Sequence, residues 1–184
     1  MIVEAAAALF AERGYARTSV AAVAAAAGVA LNTVYTSVGG KSALILALTE
    51  HGASDEVVAE TLRRIDTATA AIDIIRITAE GTGRVRRRQH QTLSLLLDNR
   101  TAHPDVAAAA DFAVRVTRER LAHVAGRLRE VGGLRPGLSL QQVEDTLWFY
   151  FGFEAWRSLR GMNWEWDVAT AWLAEQAANA LLPR

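Results

Sequence analysis

Apolar residues recur at helical spacing through the first forty positions, where glycines divide the chain into three short segments. In the first segment the apolar residues share one helix face: Ile2, Ala5, Ala6, Leu9 and Phe10. This spacing predicts a helix that ends before Gly14, because glycine tolerates the left-handed conformation that closes a helix. Thr18 and Ser19 offer an N-cap for a second helix, which ends at Gly28. A third helix is predicted over residues 30–38, before two further glycines.

The pattern stays helical beyond this region, and no segment alternates in the way that a half-buried strand does. Helices are predicted at about residues 41–51, from residue 55, at 68–80, 85–100, 105–131 and 139–160, and over a last segment that ends before residue 183. The break between residues 80 and 85 is assigned to Gly81 and Gly83. Ser139 with Gln142 three residues on predicts a capping box. The chain is therefore predicted to be all-α.

Two of these helices are more apolar than one subunit of this size easily buries. The segment Leu147–Phe153 is apolar on every side of its helix. The last helix carries an apolar stripe at helical spacing: Ala169, Trp172, Leu173, Ala177, Ala180 and Leu181. We expect the two helices to form the interface of a homodimer. The alternative is that both belong to the core of a single subunit.

Composition and charge exclude classes of function more than they indicate one. Hydrophobic residues make up 51% of the chain, and 20 basic residues balance 20 acidic ones, so net charge does not predict a polyanionic partner. The chain has no Cys, and its four histidines are never three to five residues apart, which predicts no metal or cofactor site. No catalytic motif is present, so we expect no enzyme.

The sequence also predicts a soluble cytoplasmic protein without membrane contact. Its longest run without a polar side chain, Val20–Leu31, is 12 residues long, whereas a bilayer requires about 20. The first residues, MIVEAAAALF, lack the basic segment of a signal peptide.

The first fifty residues carry the most specific pattern. A helix, a glycine turn and a second helix of about nine residues is the construction that places one helix in the major groove of DNA. On the third helix the side chains that point away from Val34 are short, uncharged groups able to contact base edges: Leu31, Asn32, Thr33 and Thr36. Tyr35 is predicted to reach a phosphate, or else to be a core aromatic residue with a solvated hydroxyl. Lys41, at the start of the next helix, is predicted to bind a phosphate, or else to be a solvated cap.

Seven short motifs occur in fixed order within residues 2–48: LF, GY, TSV, AGV, TVY, GGK and AL. In this order and spacing the segment resembles the DNA-binding region of the tetracycline-repressor-like (TetR) transcriptional regulators. The resemblance implies an all-helical homodimer that binds double-stranded DNA at a palindromic operator and is released by a small molecule. It also implies that Ser19, Thr33, Tyr35 and Lys41 contact DNA. Unlike many members, the chain has no basic run before the first helix, and basic residues at positions 13, 17 and 41 only balance acidic residues at 4, 12 and 50.

We therefore divide the chain into a helix-turn-helix DNA-binding domain over residues 1–48 and a helical ligand-binding and dimerisation domain over residues 49–184. The candidate walls of a ligand pocket are the aromatic residues of the most apolar helix: Trp148, Phe149, Phe153 and Trp156. The expected ligand is a small apolar or aromatic molecule, and the alternative is that these side chains are simply core. The predicted function is that of a ligand-responsive transcriptional repressor. The alternative is a helical small-molecule-binding protein of the same fold whose DNA binding is weak or lost.

Four arginines cluster at positions 84, 86, 87 and 88, near the predicted start of the 85–100 helix, where cations oppose the helix dipole. The ordinary interpretation is a solvated face paired with acids such as Asp73 or Glu80. The alternative is a contact to an anionic ligand or to DNA.

Overall fold

The computed structural model describes residues 1–183, which form eleven helices and no strand, so the predicted all-α class is confirmed. In chain order the helices are α1 Ile2–Arg13, α2 Val20–Ala27, α3 Leu31–Ser37, α4 Lys41–Ala53, α5 Glu56–Thr67, α6 Ala71–Arg88, α7 His90–Asn99, α8 Pro104–Val131, α9 Leu140–Phe151, α10 Phe153–Gly161 and α11 Trp166–Leu181. Within residues 1–183 no single helix is long and apolar enough to cross a membrane. Only the bent pair α2 and α3 meets that standard jointly, on length and composition alone.

The first compact unit of the chain comprises residues 1–54 and 89–114. It contains α1 to α4, α7 and the first part of α8. Within it α1 packs against α2, α4 and α7, and α2 packs against α3. The largest side chains of its core are Phe10, Leu44, Ile45 and Leu96, each almost completely buried. This unit therefore holds the predicted DNA-contacting residues on a core of its own.

The second compact unit comprises residues 55–88 and 115–183. Within it α6 packs against α5, α9, α10 and α11, and α9 packs against α10 and α11. Its core includes Ile74, Ile75, Leu128, Phe151 and Trp156. The predicted functional division at residue 48 thus differs from the compact units, because residues 89–114 pack with the N-terminal helices. The division itself stays a prediction.

Local signals in the sequence account well for several helix ends. Gly28 adopts the left-handed conformation, with φ 67°, and ends α2 as predicted. Ser139 and Gln142 form the predicted capping box, in which each side chain accepts a hydrogen bond from the backbone of the other residue. These ends are set by residues adjacent in sequence, which is why the pattern alone identifies them.

Gly81 and Gly83 do not break a helix, and the prediction that they do was wrong. Helix α6 runs through both, and the next helix begins only at His90. A Cβ added to Gly81 lies 2.3 Å from Oγ1 of Thr61, and one added to Gly83 lies 2.7 Å from Oγ1 of Thr170. Glycine is needed here for close approach of neighbouring helices, and the local sequence does not contain that information.

The arginine cluster consequently lies in the last two turns of α6 rather than at a helix start, so that prediction was also wrong. The C-terminal end of a helix favours cations. Arg84 donates to Glu60 at 2.9 Å, and Arg88 donates to Asp55 at 2.9 Å. Arg86 is different, since its side chain is buried.

The helix predicted over residues 139–160 is interrupted at Gly152, which separates α9 from α10. Gly152 has an extended backbone, with φ −70° and ψ −179°, and donates its N–H to the carbonyl of Trp148 at 2.8 Å. A Cβ at this position lies 2.4 Å from that same carbonyl oxygen. The break therefore depends on a single glycine inside an otherwise uniform apolar run.

Candidate nucleic-acid interface

Helices α2 and α3 have the arrangement of a helix-turn-helix. The chain bends by 102° between them, within the range of about 90–120° that such pairs adopt. The turn is residues 28–30, and its Val29 N–H donates to the carbonyl of Ala24 at 3.0 Å. The first residues of the turn are thus held against the end of α2.

Val34 holds α3 on the core of the first unit, because it is completely buried while its neighbours are not. The residues predicted to contact DNA lie on the exposed side of this helix: Leu31, Asn32, Thr33, Tyr35 and Thr36. Tyr35 is 52% exposed, so it is not a core residue. The side chains that the sequence assigned to base and phosphate contact are therefore together on one accessible surface.

Thr36 is partly committed to its own helix. Its hydroxyl donates to the carbonyl of Asn32 at 3.0 Å, with Thr33 as a second acceptor at 3.2 Å. The hydrogen of this hydroxyl is consequently used, whereas the γ-methyl group remains available for a thymine methyl.

Ser19 and Thr18, which the sequence did not distinguish, have separate roles. Ser19 is the N-cap of α2, and its Oγ accepts a hydrogen bond from the N–H of Ala22 at 3.1 Å. It is exposed, so its hydroxyl hydrogen is available to an external acceptor. Thr18 is buried and donates to the carbonyls of Leu9 and Gly14, which ties the start of α2 to the end of α1.

Lys41 is held by the protein rather than extended into solvent. Its Nζ donates to the carbonyl of Ala16 at 3.0 Å and lies 4.4 Å from the ring centroid of Tyr15. Burial lowers the pKa of Lys41, an effect that the charge of Asp105 partly opposes. An ammonium group has three donors, so Lys41 retains hydrogen-bonding capacity for a phosphate at the N-terminus of α4.

Tyr15 and Asp105 form a contact that sequence reasoning did not identify. The ring of Tyr15 packs on Phe10 near the end of α1, with centroids 5.4 Å apart. Its hydroxyl, however, donates to Asp105 in the first turn of α8. The two residues are ninety positions apart, and no local pattern links them.

The four aromatic residues predicted to line a ligand pocket differ in exposure. Trp156 and Phe153 are buried, and Trp148 packs edge-on against Phe153 with centroids 5.8 Å apart. Leu147 and Phe151 face the core. Phe149 lies two residues from each of them, which is about half a turn of the helix, so it points away from the core and is 72% exposed. Phe149 is therefore exposed in the single chain, and the role of the four residues as pocket walls stays a prediction.

The predicted dimer stripe on α11 is also mostly internal. Four of its members, at spacings of four residues, are buried in the second unit: Ala169, Leu173, Ala177 and Leu181. Trp172 is 38% exposed, and Val168 one turn earlier is more exposed still. The large exposed apolar groups on these helices are thus Phe149, Val168 and Trp172, of which only Trp172 belongs to the predicted stripe.

Comparison with known families and structures agrees with this geometry. Residues 2–48 match the family described as bacterial regulatory proteins, tetR family. No protein of curated function matches the chain significantly in sequence.

Several solved structures resemble the chain over nearly its whole length. The fatty acid degradation regulator FadR from Bacillus halodurans has a TM-score of 0.79 at 17% identity, covering 96% of this chain and 95% of its own. FadR from Bacillus subtilis in complex with stearoyl-CoA gives 0.79 at 16% identity, with the same coverage of 96% and 95%. A transcriptional regulator from Saccharomonospora viridis in complex with choline gives 0.75 at 16% identity and covers 100% of this chain and 96% of its own. At these identities the likeness is one of fold.

Proposed function

We propose that this chain, whose residues 2–48 match the tetR family of bacterial regulatory proteins, is a DNA-binding transcriptional regulator that represses transcription as a homodimer and is released from a palindromic operator by a small molecule. The proposal includes a cytoplasmic location, since DNA is the partner, and no enzymatic activity.

The observation that carries the proposal is the geometry of α3. The helix is bent by 102° from α2, its residue Val34 is completely buried, and its uncharged side chains Asn32 and Thr33 are exposed. A helix presented in this way fits the major groove, where amide and hydroxyl groups distinguish base pairs. Sequence preference is expected to depend on these side chains, because no charged residue lies on this helix.

The homodimer is supported by exposed apolar groups on α9 and α11. Large apolar side chains left exposed on a monomer commonly mark an interaction surface. Phe149 and Trp172 are such groups, and the helices that carry them pack against each other. A twofold dimer also matches the twofold symmetry of a palindromic operator, whose half-sites lie about 34–36 Å apart or a multiple of that distance.

The response to a ligand is supported by the solved structures of similar fold that hold stearoyl-CoA or choline. A ligand releases DNA only if it binds the conformation with low DNA affinity more tightly than the other, and such couplings are typically about 1–3 kcal/mol. Helix α8 contributes to both units, since Asp105 in its first turn contacts Tyr15 of the first unit and later residues line a cavity in the second unit.

The test begins with selection of duplexes from a random pool by the full chain, followed by fluorescence anisotropy with the enriched sequence. We expect enrichment of a twofold-symmetric site that binds at least about a thousandfold more tightly than random DNA. Asn32→Ala removes an amide from α3 and is expected to change the enriched sequence. Gln91→Ala removes an exposed amide of the same unit, on α7, and is expected to leave it unchanged.

Failure to enrich any sequence, with random and selected duplexes bound equally, would contradict the proposal. That result favours the second candidate, a helical small-molecule-binding protein without useful DNA affinity. The neutral charge of the first fifty residues is the observation that keeps this candidate open.

A further inference from the structure

Arg86, near the end of α6, is a buried cation without a carboxylate partner. Arg86 is only 7% exposed, and its Nε has no hydrogen-bond partner. The guanidinium carbon lies 4.2 Å from the ring centroid of Phe153, which covers one of its faces. The arginines at positions 84 and 88 of the same helix pair with acidic residues of the same unit, and Arg87 is exposed to solvent, so Arg86 differs from its neighbours in being both buried and without an acidic partner.

Arg86 lines a cavity of about 70 Å³ between α5, α6 and α8. Six of the thirteen lining residues are aliphatic: Val58, Leu62, Ile65, Val85, Leu121 and Val124. Arg120 of α8 is a second cation in the lining, and no acidic side chain is among the lining residues. Three lining threonines donate their hydroxyl hydrogens to carbonyls of their own helices. The guanidinium groups are therefore the strongest donors that the cavity offers.

The electrostatics of the cavity also favour an anion. Burial, followed by the like charge of Arg120, lowers the pKa of Arg86 to about 9, so the group still carries its charge at neutral pH. Burial lowers the pKa of Arg120 as well, although Glu119 acts in the opposite direction. A buried cation that faces a like charge is unfavourable unless an opposite charge joins it.

We propose that this cavity binds a small amphipathic anion, whose carboxylate or phosphate group accepts hydrogen bonds from Arg86 and whose short apolar chain packs against the aliphatic wall. Only the regulatory consequence of this binding rests on the proposed function. The ligand class differs from the neutral apolar or aromatic molecule predicted from the sequence, because the prediction was based on aromatic residues that do not line the cavity.

The test is calorimetric titration of the full chain with three probes of equal chain length, namely hexanoate, hexyl phosphate and 1-hexanol. At least one anion is expected to bind about tenfold or more tightly than the alcohol, which is the effect of one charge-assisted hydrogen bond. The stronger of the two anions identifies the head group as carboxylate or phosphate. Equal binding of all three probes, or binding of the alcohol alone, overturns the proposal.

Arg86→Met keeps the apolar length of the side chain and removes its charge. It is expected to weaken binding of the preferred anion by about tenfold or more. Arg87→Met changes the exposed neighbour on the same helix and is expected to leave the affinity unchanged. Unaltered affinity in Arg86→Met, or an equal loss in Arg87→Met, contradicts the assignment.

A denaturant titration of the same variants separates binding from a structural role. Because Arg86 is a buried charge without a carboxylate, Arg86→Met is expected to be as stable as the parent or more stable. A purely structural arginine gives the opposite result, a less stable variant with unchanged anion affinity. Arg86→Lys keeps the charge but not the planar group, and is expected to bind the anion with intermediate affinity.

Operator binding measured with and without the preferred anion distinguishes this proposal from the proposed function. Anion binding that leaves operator affinity unchanged supports the site and contradicts ligand-responsive repression. Release of the operator by a different ligand, with no binding of either anion, overturns the site and leaves the repressor function intact.

Discussion

The hydroxyl of Tyr15 donates a hydrogen bond to Oδ2 of Asp105 at 3.2 Å, joining the turn after α1 to the first turn of α8. The same aromatic ring lies under Nζ of Lys41 and packs beside His103, with ring centroids 5.2 Å apart. Lys41 in turn donates to the carbonyl of Ala16. A residue that looks like a simple apolar cap in the sequence is thus the centre of a polar contact within the first unit.

This contact predicts an unusual titration of Tyr15. Burial, then the charge of Asp105 and the hydrogen bond to it, raise the pKa of Tyr15 from 10.0 to about 12, against a smaller opposing effect of Ser42. Phenolate absorbance after a stopped-flow pH jump, recorded before the protein unfolds, is expected to contain one component near pH 12. Tyr15→Phe is expected to remove that component, and Tyr35→Phe is expected to retain it.

The raised pKa of Tyr15 also predicts how the stability of the protein changes with pH. The unfolded chain releases this proton near pH 10 and the folded chain near pH 12, so the contribution of Tyr15 is complete below pH 10 and is lost as the pH rises to 12. The free energy of unfolding is therefore expected to fall less steeply over this range in Tyr15→Phe than in the parent chain. Equal slopes for the two proteins contradict the assignment.

Substitution by alanine is expected to have opposite effects on stability at a buried glycine of α6 and at a glycine of α8. Gly81→Ala places a methyl group 2.3 Å from Oγ1 of Thr61 and is expected to destabilise the protein by about 1–3 kcal/mol, the usual cost of overpacking. Gly126→Ala, within α8, meets nothing within 4 Å and is expected to stabilise by about 0.5–1 kcal/mol, because alanine is the better helix former. Urea titrations measure both changes, and stabilisation by Gly81→Ala contradicts the close packing described.

These glycines also show how far the sequence predicts the fold. The C-terminal ends of α1 and α2 and the start of α9 depend on neighbouring residues, so capping rules and apolar spacing locate them. At Gly81 the decisive contact is with Thr61 of another helix, and local rules interpret the glycine as a break. Because of the misplaced break, the arginine cluster was predicted at a helix start. The prediction therefore did not distinguish the buried Arg86 from its exposed neighbours.

The candidate site shows the same limit. The exposed side of α3 follows from the single buried position Val34 and was predicted correctly. Within an all-apolar helix, however, periodicity does not distinguish the core side from the outer side, so Phe149 was grouped with the buried Phe153. Which of these residues contact DNA or a ligand stays a prediction.

Thr36 predicts a difference between two small substitutions on α3, the helix that we propose contacts DNA. Its hydroxyl is used within α3, so its γ-methyl is the group available to a base. Thr36→Val keeps a methyl group at this position and is expected to preserve the operator preference. Thr36→Ala removes it and is expected to reduce discrimination at one base pair by about 1 kcal/mol, as measured by anisotropy with singly substituted operators. Equal effects of the two variants contradict the methyl contact.

Lys41 predicts a change that does not depend on DNA sequence. A phosphate contact positions the protein without reading bases, so Lys41→Met is expected to weaken binding to all duplexes by a similar factor. The slope of log affinity against log salt is expected to become shallower by about 1 per subunit. Arg63→Met, an exposed cation on α5 of the second unit, is the control and is expected to leave the slope unchanged. An altered operator preference in Lys41→Met assigns the residue to base recognition instead.

The exposed ring of Phe149 predicts where two copies meet. It is 72% exposed on α9, so Phe149→Glu leaves the core of the subunit intact and places a charge where the dimer requires an apolar contact. Light scattering at micromolar concentration is expected to give a mass of twice 19.9 kDa for the parent chain and a single copy for the variant. Ala59→Glu introduces the same charge at an exposed position of α5 and is expected to remain dimeric.

Because only a dimer contacts both half-sites, Phe149→Glu is also expected to lose most operator affinity while its helical content stays unchanged. A parent chain that is monomeric, or a variant that remains dimeric, assigns the interface elsewhere.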